Sequence, residues 1–243
     1  MVCSSTVRRS AGTWALLLLS AFFFLFPVSR SAAESAGVSV PLDVSSVNSF
    51  DRLLMFPYSE GPDLASEFTQ YASWLAPAVF MAVSPPAGWI EIGLLYAGST
   101  ALSFGTRTVL KSVIDRDRPY MYFADPLAEG IESGDSRNSF PSGHTTMSFT
   151  GAAFAATLFA LRYPKSPYRV PVTAAAFALA GTTAALRIAS GNHFMTDVLA
   201  GAAIGSLSGF IVPFAHSKIA DACSLSDVTV SVTPFGFSVG KKL

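Results

Sequence analysis

Five apolar stretches, at about 68–83, 89–110, 145–161, 172–188 and 198–214, dominate the chain from residue 68 onward. Most lie near the short limit for crossing a bilayer, which takes roughly 20 residues, and they are rich in Ala, Gly, Ser and Thr. Small side chains let helices approach closely, so the pattern predicts a tight helical bundle. Gly201, Gly205 and Gly209, spaced by four, give the last helix a flat face, which reads as bundle packing. With 51% of its 243 residues hydrophobic and 13% charged, the chain is lean in charge for a soluble protein and reads as membrane-associated.

The flanking segments set the expected organisation. Arg8-Arg9 precede an apolar run at 14–28, and Ser31-Ala32-Ala33 follow it. That order is an export signal over residues 1–33, either removed or kept as a first membrane helix. Residues from 34 on would then emerge on the outer side of a bacterial inner membrane. Residues 34–67 are mixed in character, with a short amphipathic helix near 50–56 and no assigned chemistry. The core is expected at 68–217 and a tail at 218–243, where Val228, Val230 and Val232 alternate with Thr and Ser before Pro234-Phe235-Gly236, a small hairpin pattern. The predicted fold is therefore all-α, a bundle of five to six membrane helices with a small C-terminal β-hairpin.

Alternating crossings put residues 111–144 and 187–197 outside and 162–171 with the C-terminus inside. Arg162, Lys165, Arg169, Lys218, Lys241 and Lys242 then lie inside, as the positive-inside tendency requires. Lys111, Arg118 and Arg187 fall on the other side and need another reason to be there. Sixteen basic residues balance sixteen acidic ones, so nothing points to nucleic acid. Two cysteines, Cys3 and Cys223, imply no disulfide framework. Between Asp135 and Asp221 the single acidic residue is Asp197, in a span holding six Lys and Arg; a carboxylate so placed calls for a specific partner.

Three polar clusters fall at the outer ends of the apolar stretches. Lys111 and Arg118, seven apart and followed by Pro119, are expected on one helix face, with the proline marking where that helix stops. Asp115, Arg116 and Asp117 between them read as a charged helix end. Pro141-Ser142-Gly143-His144 opens the next apolar stretch, and a helix start there leaves backbone N–H groups free to hold an oxyanion beside His144. Arg187, His193 and Asp197 form the third cluster; a carboxylate four residues after a histidine fits an ordinary capping pair and equally fits one that fixes the imidazole tautomer. The loop at 120–140, with Asp125, Glu129, Glu132, Asp135 and a Ser133-Gly134 patch, is placed to act as a lid. Two histidines, three cations, a helix start and one carboxylate suffice for phosphoryl transfer through a histidine. No Cys, His, Asp or Glu cluster has metal-ligand spacing, and no metal or other cofactor is required.

In order and in spacing, with 21 residues from Pro119 to Pro141 and 42 from His144 to Arg187, these clusters resemble the three-part signature of the type 2 phosphatidic acid phosphatase superfamily. That superfamily also includes bacterial class A acid phosphatases and vanadium haloperoxidases. The resemblance covers about residues 70–215, with one departure: Leu186 stands where the family usually has Ser. It implies that His193 attacks phosphorus, that Asp197 holds and polarises His193, and that His144 protonates the leaving oxygen and then activates water. Lys111, Arg118, Arg187, Ser142 and the Gly143 backbone would bind the phosphoryl oxygens. The expected substrate is a phosphomonoester or pyrophosphate of a membrane lipid, such as phosphatidylglycerol phosphate, undecaprenyl pyrophosphate, lipid A or phosphatidate, met on the periplasmic face. A soluble periplasmic acid phosphatase, a haloperoxidase and a non-enzymatic lipid-binding protein stay open as alternatives at this point.

Overall fold

A capping serine starts the central helix. In the computed structural model, which describes residues 41–83, 86–225, 228–233 and 236–241, Ser142 Oγ accepts from the Thr145 N–H and its carbonyl from the Thr146 N–H. Such a cap satisfies donors that the first helical turn leaves without partners. The expected export signal lies outside the described residues, as does Pro234-Phe235.

In chain order the helices are α1 (Ser49–Arg52), α2 (Glu60–Val83), α3 (Trp89–Val113), α4 (Ala128–Glu132), α5 (Gly143–Arg162), α6 (Arg169–Ala189) and α7 (Met195–Leu225). Two antiparallel strands follow, β1 (Val228–Thr233) and β2 (Gly236–Lys241), with Val230 opposite Val239. Helix α5 is the axis of the bundle, packed against α2, α3, α6 and most extensively α7. Among the described residues two helices, α6 and residues Met195–Asp221 of α7, are long and apolar enough to cross a membrane.

Close approach explains the small residues. A Cβ added at Gly205 would lie 2.3 Å from the Thr146 carbonyl oxygen, one at Gly209 2.5 Å from that of Thr150, and one at Gly201 2.7 Å from that of Ser142. Thus a glycine stripe on α7 rides on a stripe of α5 carbonyls with the same four-residue spacing. Gly151 does the same for α2, where a Cβ would meet the Ser73 carbonyl oxygen at 2.3 Å. A hydroxyl adds to the α2–α5 contact, where Ser73 Oγ donates to the Ser148 carbonyl at 2.8 Å, while within α5 Thr150 Oγ1 donates to the Thr146 carbonyl at 2.7 Å. Bulky side chains gather instead around Ile92, Phe154 and Leu158, with Phe80 and Tyr96 beside them.

Hydropathy underestimated the helix ends. Helix α2 begins at Glu60 and α7 runs to Leu225, because polar first and last turns do not register as apolar stretches. Helix α1 stops at Arg52, short of the expected 50–56. Helix α3 ends at Val113, so Lys111 and Arg118 do not share a helix face, contrary to the seven-residue reading. The chain turns extended there and pairs with the 120–140 loop: Arg116 N–H donates to the Arg137 carbonyl, Arg118 N–H to the Ser136 carbonyl, and Ser139 N–H to the Arg116 carbonyl.

Replacing Gly205 by Val drives a side chain into the Thr146 carbonyl and is expected to lower stability by about 1–3 kcal/mol, the usual cost of overpacking. Thermal unfolding in detergent would read this as a fall in Tm, and an unchanged Tm would contradict the contact.

Candidate active site

The two turns that end α3 and α6, together with the start of α5, meet at one end of the bundle. A cavity of about 440 Å3 opens there, lined by Lys111, Arg118, Gly143, His144, Arg187 and His193 among others. Six of the eight residues singled out from the sequence therefore face one space. Ser142 and Asp197 stand behind it. Ser142 is fully buried, its hydroxyl turned to Thr145, and it caps α5 instead of lining the cavity.

His193 sits in the turn before α7 and is 1% exposed. Its Nδ1 lies 2.8 Å from the Ser139 carbonyl oxygen. A carbonyl only accepts, so Nδ1 carries the proton and Nε2 keeps its lone pair. The expected contact with Asp197 is replaced, since the carboxylate stands 3.8 Å from Nδ1. Asp197 instead accepts from Ser139 Oγ at 2.6 Å and from the Phe194 N–H at 2.9 Å. It thereby fixes both segments that carry the His193 contact and caps α7, which begins at Met195. Burial, and then the charges of Arg118, Arg187 and Lys111, hold the His193 imidazole well below the ordinary histidine range. The imidazole is therefore neutral.

Each of the three cationic candidates, and His144 beside them, already holds a protein oxygen. Arg118 donates to Asp135 and, at 2.8 Å, to Asn192 Oδ1. Arg187 pairs with Asp63 and donates to Ser66 Oγ at 3.1 Å. Lys111 Nζ donates to the Asn138 carbonyl. His144 Nε2 donates to Glu67 at 2.6 Å. The 120–140 loop forms one wall, with Leu127, Glu129, Gly130, Ser133 and Asp135 facing the cavity.

Behind the cavity runs a partly buried ionic link. Arg116 donates to Asp197 and, through its other nitrogen at 2.6 Å, to Asp51. Its guanidinium also lies 4.3 Å over the Phe194 ring. Asp51 is fully buried and further accepts from the Thr196 N–H, the Thr196 hydroxyl and Asn48 Nδ2. Two sequence readings are corrected here. Arg116 is the partner that the isolated Asp197 required, not part of a charged helix end. Residues 41–67, given no chemistry, supply Asp51, Tyr58, Asp63 and Glu67 to the site. Nothing in hydropathy or spacing could find the three acids, because Arg116, His144 and Arg187, which they meet, lie more than 60 residues away. Among the described residues no group of three or more His, Cys, Asp or Glu could hold a metal ion.

The family model of the PAP2 superfamily matches residues 92–220. The chain belongs to the PAP2 superfamily. Within that superfamily it is similar to a lipid A 1-phosphatase of Rhizobium johnstonii, 31% identical over 175 residues that make up 71% of this chain and 58% of that protein. A lipid A 1-phosphatase of Porphyromonas gingivalis is 42% identical over 77 residues, 31% of this chain and 16% of that one. The chain thus spans less than two thirds of the length of these relatives. The crystal structure of Aquifex aeolicus LpxE aligns with a TM-score of 0.46 at 24% identity, covering 68% of this chain and 92% of that one. Of the PAP2 chain's cavity residues, Tyr58, Asp63 and Glu67 lie upstream of the family match.

Arg116→Met would leave the buried carboxylates of Asp51 and Asp197 without their shared cation, and a cost of about 3–5 kcal/mol is expected. Thermal unfolding should show a larger loss for this variant than for Asp51→Asn, and the reverse order would deny Arg116 the bridging part. A second expectation concerns pH. The unfolded chain protonates His193 near pH 6.5 while the native chain does not, so stability rises with pH across that range and is lost below it, by at most about 1.4 kcal/mol per pH unit. Unfolding midpoints between pH 5 and 7 should show a shallower slope for His193→Asn than for the parent.

Proposed function

We propose that the protein is a phosphatase that hydrolyses a phosphomonoester or pyrophosphate of a membrane lipid through a phosphohistidine intermediate. The observation that carries this reading is the state of His193: neutral, buried at the cavity wall, with Nδ1–H held by the Ser139 carbonyl and a lone pair left on Nε2. That is the condition for a nitrogen nucleophile. Membership of the PAP2 superfamily and the names of the two relatives support it.

In this mechanism Nε2 of His193 attacks phosphorus and the bond to the leaving oxygen breaks. His144 donates a proton to that oxygen. Water then attacks the phosphorus of the phosphohistidine, His144 takes its proton, and inorganic phosphate leaves as the P–N bond breaks. Lys111, Arg118, Arg187 and the N–H groups of Gly143 and His144 stabilise the negative oxygens, at roughly 1.5–3 kcal/mol per charge-assisted contact. Asp197 and Ser142 work from behind, holding the His193 turn and the start of α5.

Lipid substrates are supported by the outer surface. On α2 the exposed residues Leu64, Phe68, Tyr71, Leu75 and Val79 form one stripe, and Leu207, Phe210 and Ile211 are exposed on α7. Apolar faces of this kind suit a hydrocarbon surround. The site would then open toward the periplasm from an inner-membrane bundle, following the basic residues at the far loop, Arg162, Lys165 and Arg169.

The reading is tested by phosphate release in detergent, with EDTA present, from phosphatidylglycerol phosphate, undecaprenyl pyrophosphate, lipid A and phosphatidate. Activity is expected on at least one, inhibited by vanadate, lost in His193→Ala, and lowered about 10²–10⁴-fold in His144→Ala. Turnover that survives in His193→Ala would overturn the mechanism; no release from any lipid would overturn the function. Retention in membranes after a carbonate wash is expected, and release into the wash would favour the soluble phosphatase.

A further inference from the structure

One cation in the cavity differs from the rest. Arg107 lies one turn before Lys111 on α3, so both point from the same face with an offset of about 6 Å along the axis. It lines the cavity with Lys111, Arg118 and Arg187, yet makes no hydrogen bond or ion pair among the described residues. Its Nε is buried and without a partner. Its guanidinium carbon lies 4.6 Å over the ring of Phe104, which steadies the side chain without satisfying its donors. Three of its neighbours are occupied by carboxylates or carbonyls, whereas Arg107 keeps its N–H donors free.

The start of α5 is shaped around it. A Cβ on Gly143 would fall 2.5 Å from an Arg107 terminal nitrogen, so the guanidinium rests where any larger residue would put its side chain. Downstream, the Thr145 and Thr146 N–H groups are taken by Ser142. Those of Gly143 and His144 belong to the first turn, which has no carbonyl one turn back to receive them. Free guanidinium donors and free backbone donors therefore meet at one spot inside the cavity.

We propose that Arg107 is a further oxyanion-binding residue, which together with the α5 N-terminus holds the phosphoryl group. The identity of the anion rests on the phosphatase reading above; the binding of a tetrahedral oxyanion does not. In this arrangement Gly143 serves two ends, giving its own N–H and leaving room for Arg107. The glycine of the Pro-Ser-Gly-His segment is then required by a side chain 36 positions upstream, outside all three sequence clusters.

The test uses the full-length protein in detergent with inorganic phosphate as probe, reading the rise in unfolding temperature with phosphate concentration. Parent, Arg107→Gln, Arg107→Lys, Gly143→Ala and the Arg107→Gln/Gly143→Ala pair are compared. Phosphate should bind the parent, bind Arg107→Gln at least about tenfold more weakly, and recover part of that loss in Arg107→Lys. Gly143→Ala should also weaken binding, and the pair should be no weaker than Arg107→Gln alone, because alanine acts by displacing a side chain already removed. Equal binding by parent and Arg107→Gln, losses that add, or a parent indifferent to phosphate would each overturn the proposal. Steady-state kinetics separates it from the phosphatase reading. Lipid hydrolysis with an unchanged KM in Arg107→Gln would sink Arg107 and keep the enzyme, whereas Arg107-dependent phosphate binding without hydrolysis of any lipid would do the reverse.

Discussion

The contact between α7 and α5 is the constraint on which the site depends. Three glycines let α7 lie on the carbonyls of Ser142, Thr146 and Thr150, closer than any side chain would permit. At the site end this closeness lets the Ser142 N–H donate to the Asp197 carbonyl at 3.1 Å. Two chain segments far apart in sequence are thereby locked backbone to backbone, and His144 and His193 take their places from that lock. A looser interface would leave both histidines present and the cavity without a fixed shape.

Electrostatics then accounts for how so many cations share one cavity. Arg118 and Arg187 would repel each other and Lys111 across a partly dry space. Asp135 and Asp63 offset that repulsion, each on one arginine, while Asn192 links the two by donating to Asp63 and accepting from Arg118. The acids come from the 120–140 loop and from the first turn of α2, so both elements are drawn to the site by the charges they neutralise. On the proposed reading, an incoming phosphoryl group would compete with these carboxylates for the same guanidinium donors.

Much of the bundle and the six cavity-facing residues was legible because the chemistry is written at helix ends. Pro-Ser-Gly-His announces a helix start from four letters, and small residues every fourth position announce a close helix pair. The route by which Lys111 and Arg118 converge was not legible, since it follows from backbone pairing between 116–118 and 136–139, which carries no side-chain pattern. Asp51, Asp63 and Glu67 escaped for a related reason. A lone acidic residue in a mixed segment looks like any solvated charge until its partner, far along the chain, is brought to it.

The link from Asp51 to Thr196, across 145 residues, bears on when the site comes into being. The early segment 41–58 offers a buried carboxylate that has Asn48 as a local donor but meets its cation and the Thr196 donors only with Arg116 and the first turn of the last long helix. Its turn partner Gly191, at φ +71°, must also be in place before the Phe56 and Pro57 carbonyls can settle against it. A growing chain therefore carries Lys111, Arg118 and His144 well before it can assemble them, and the cavity takes its shape only after residues 191–197 have been made.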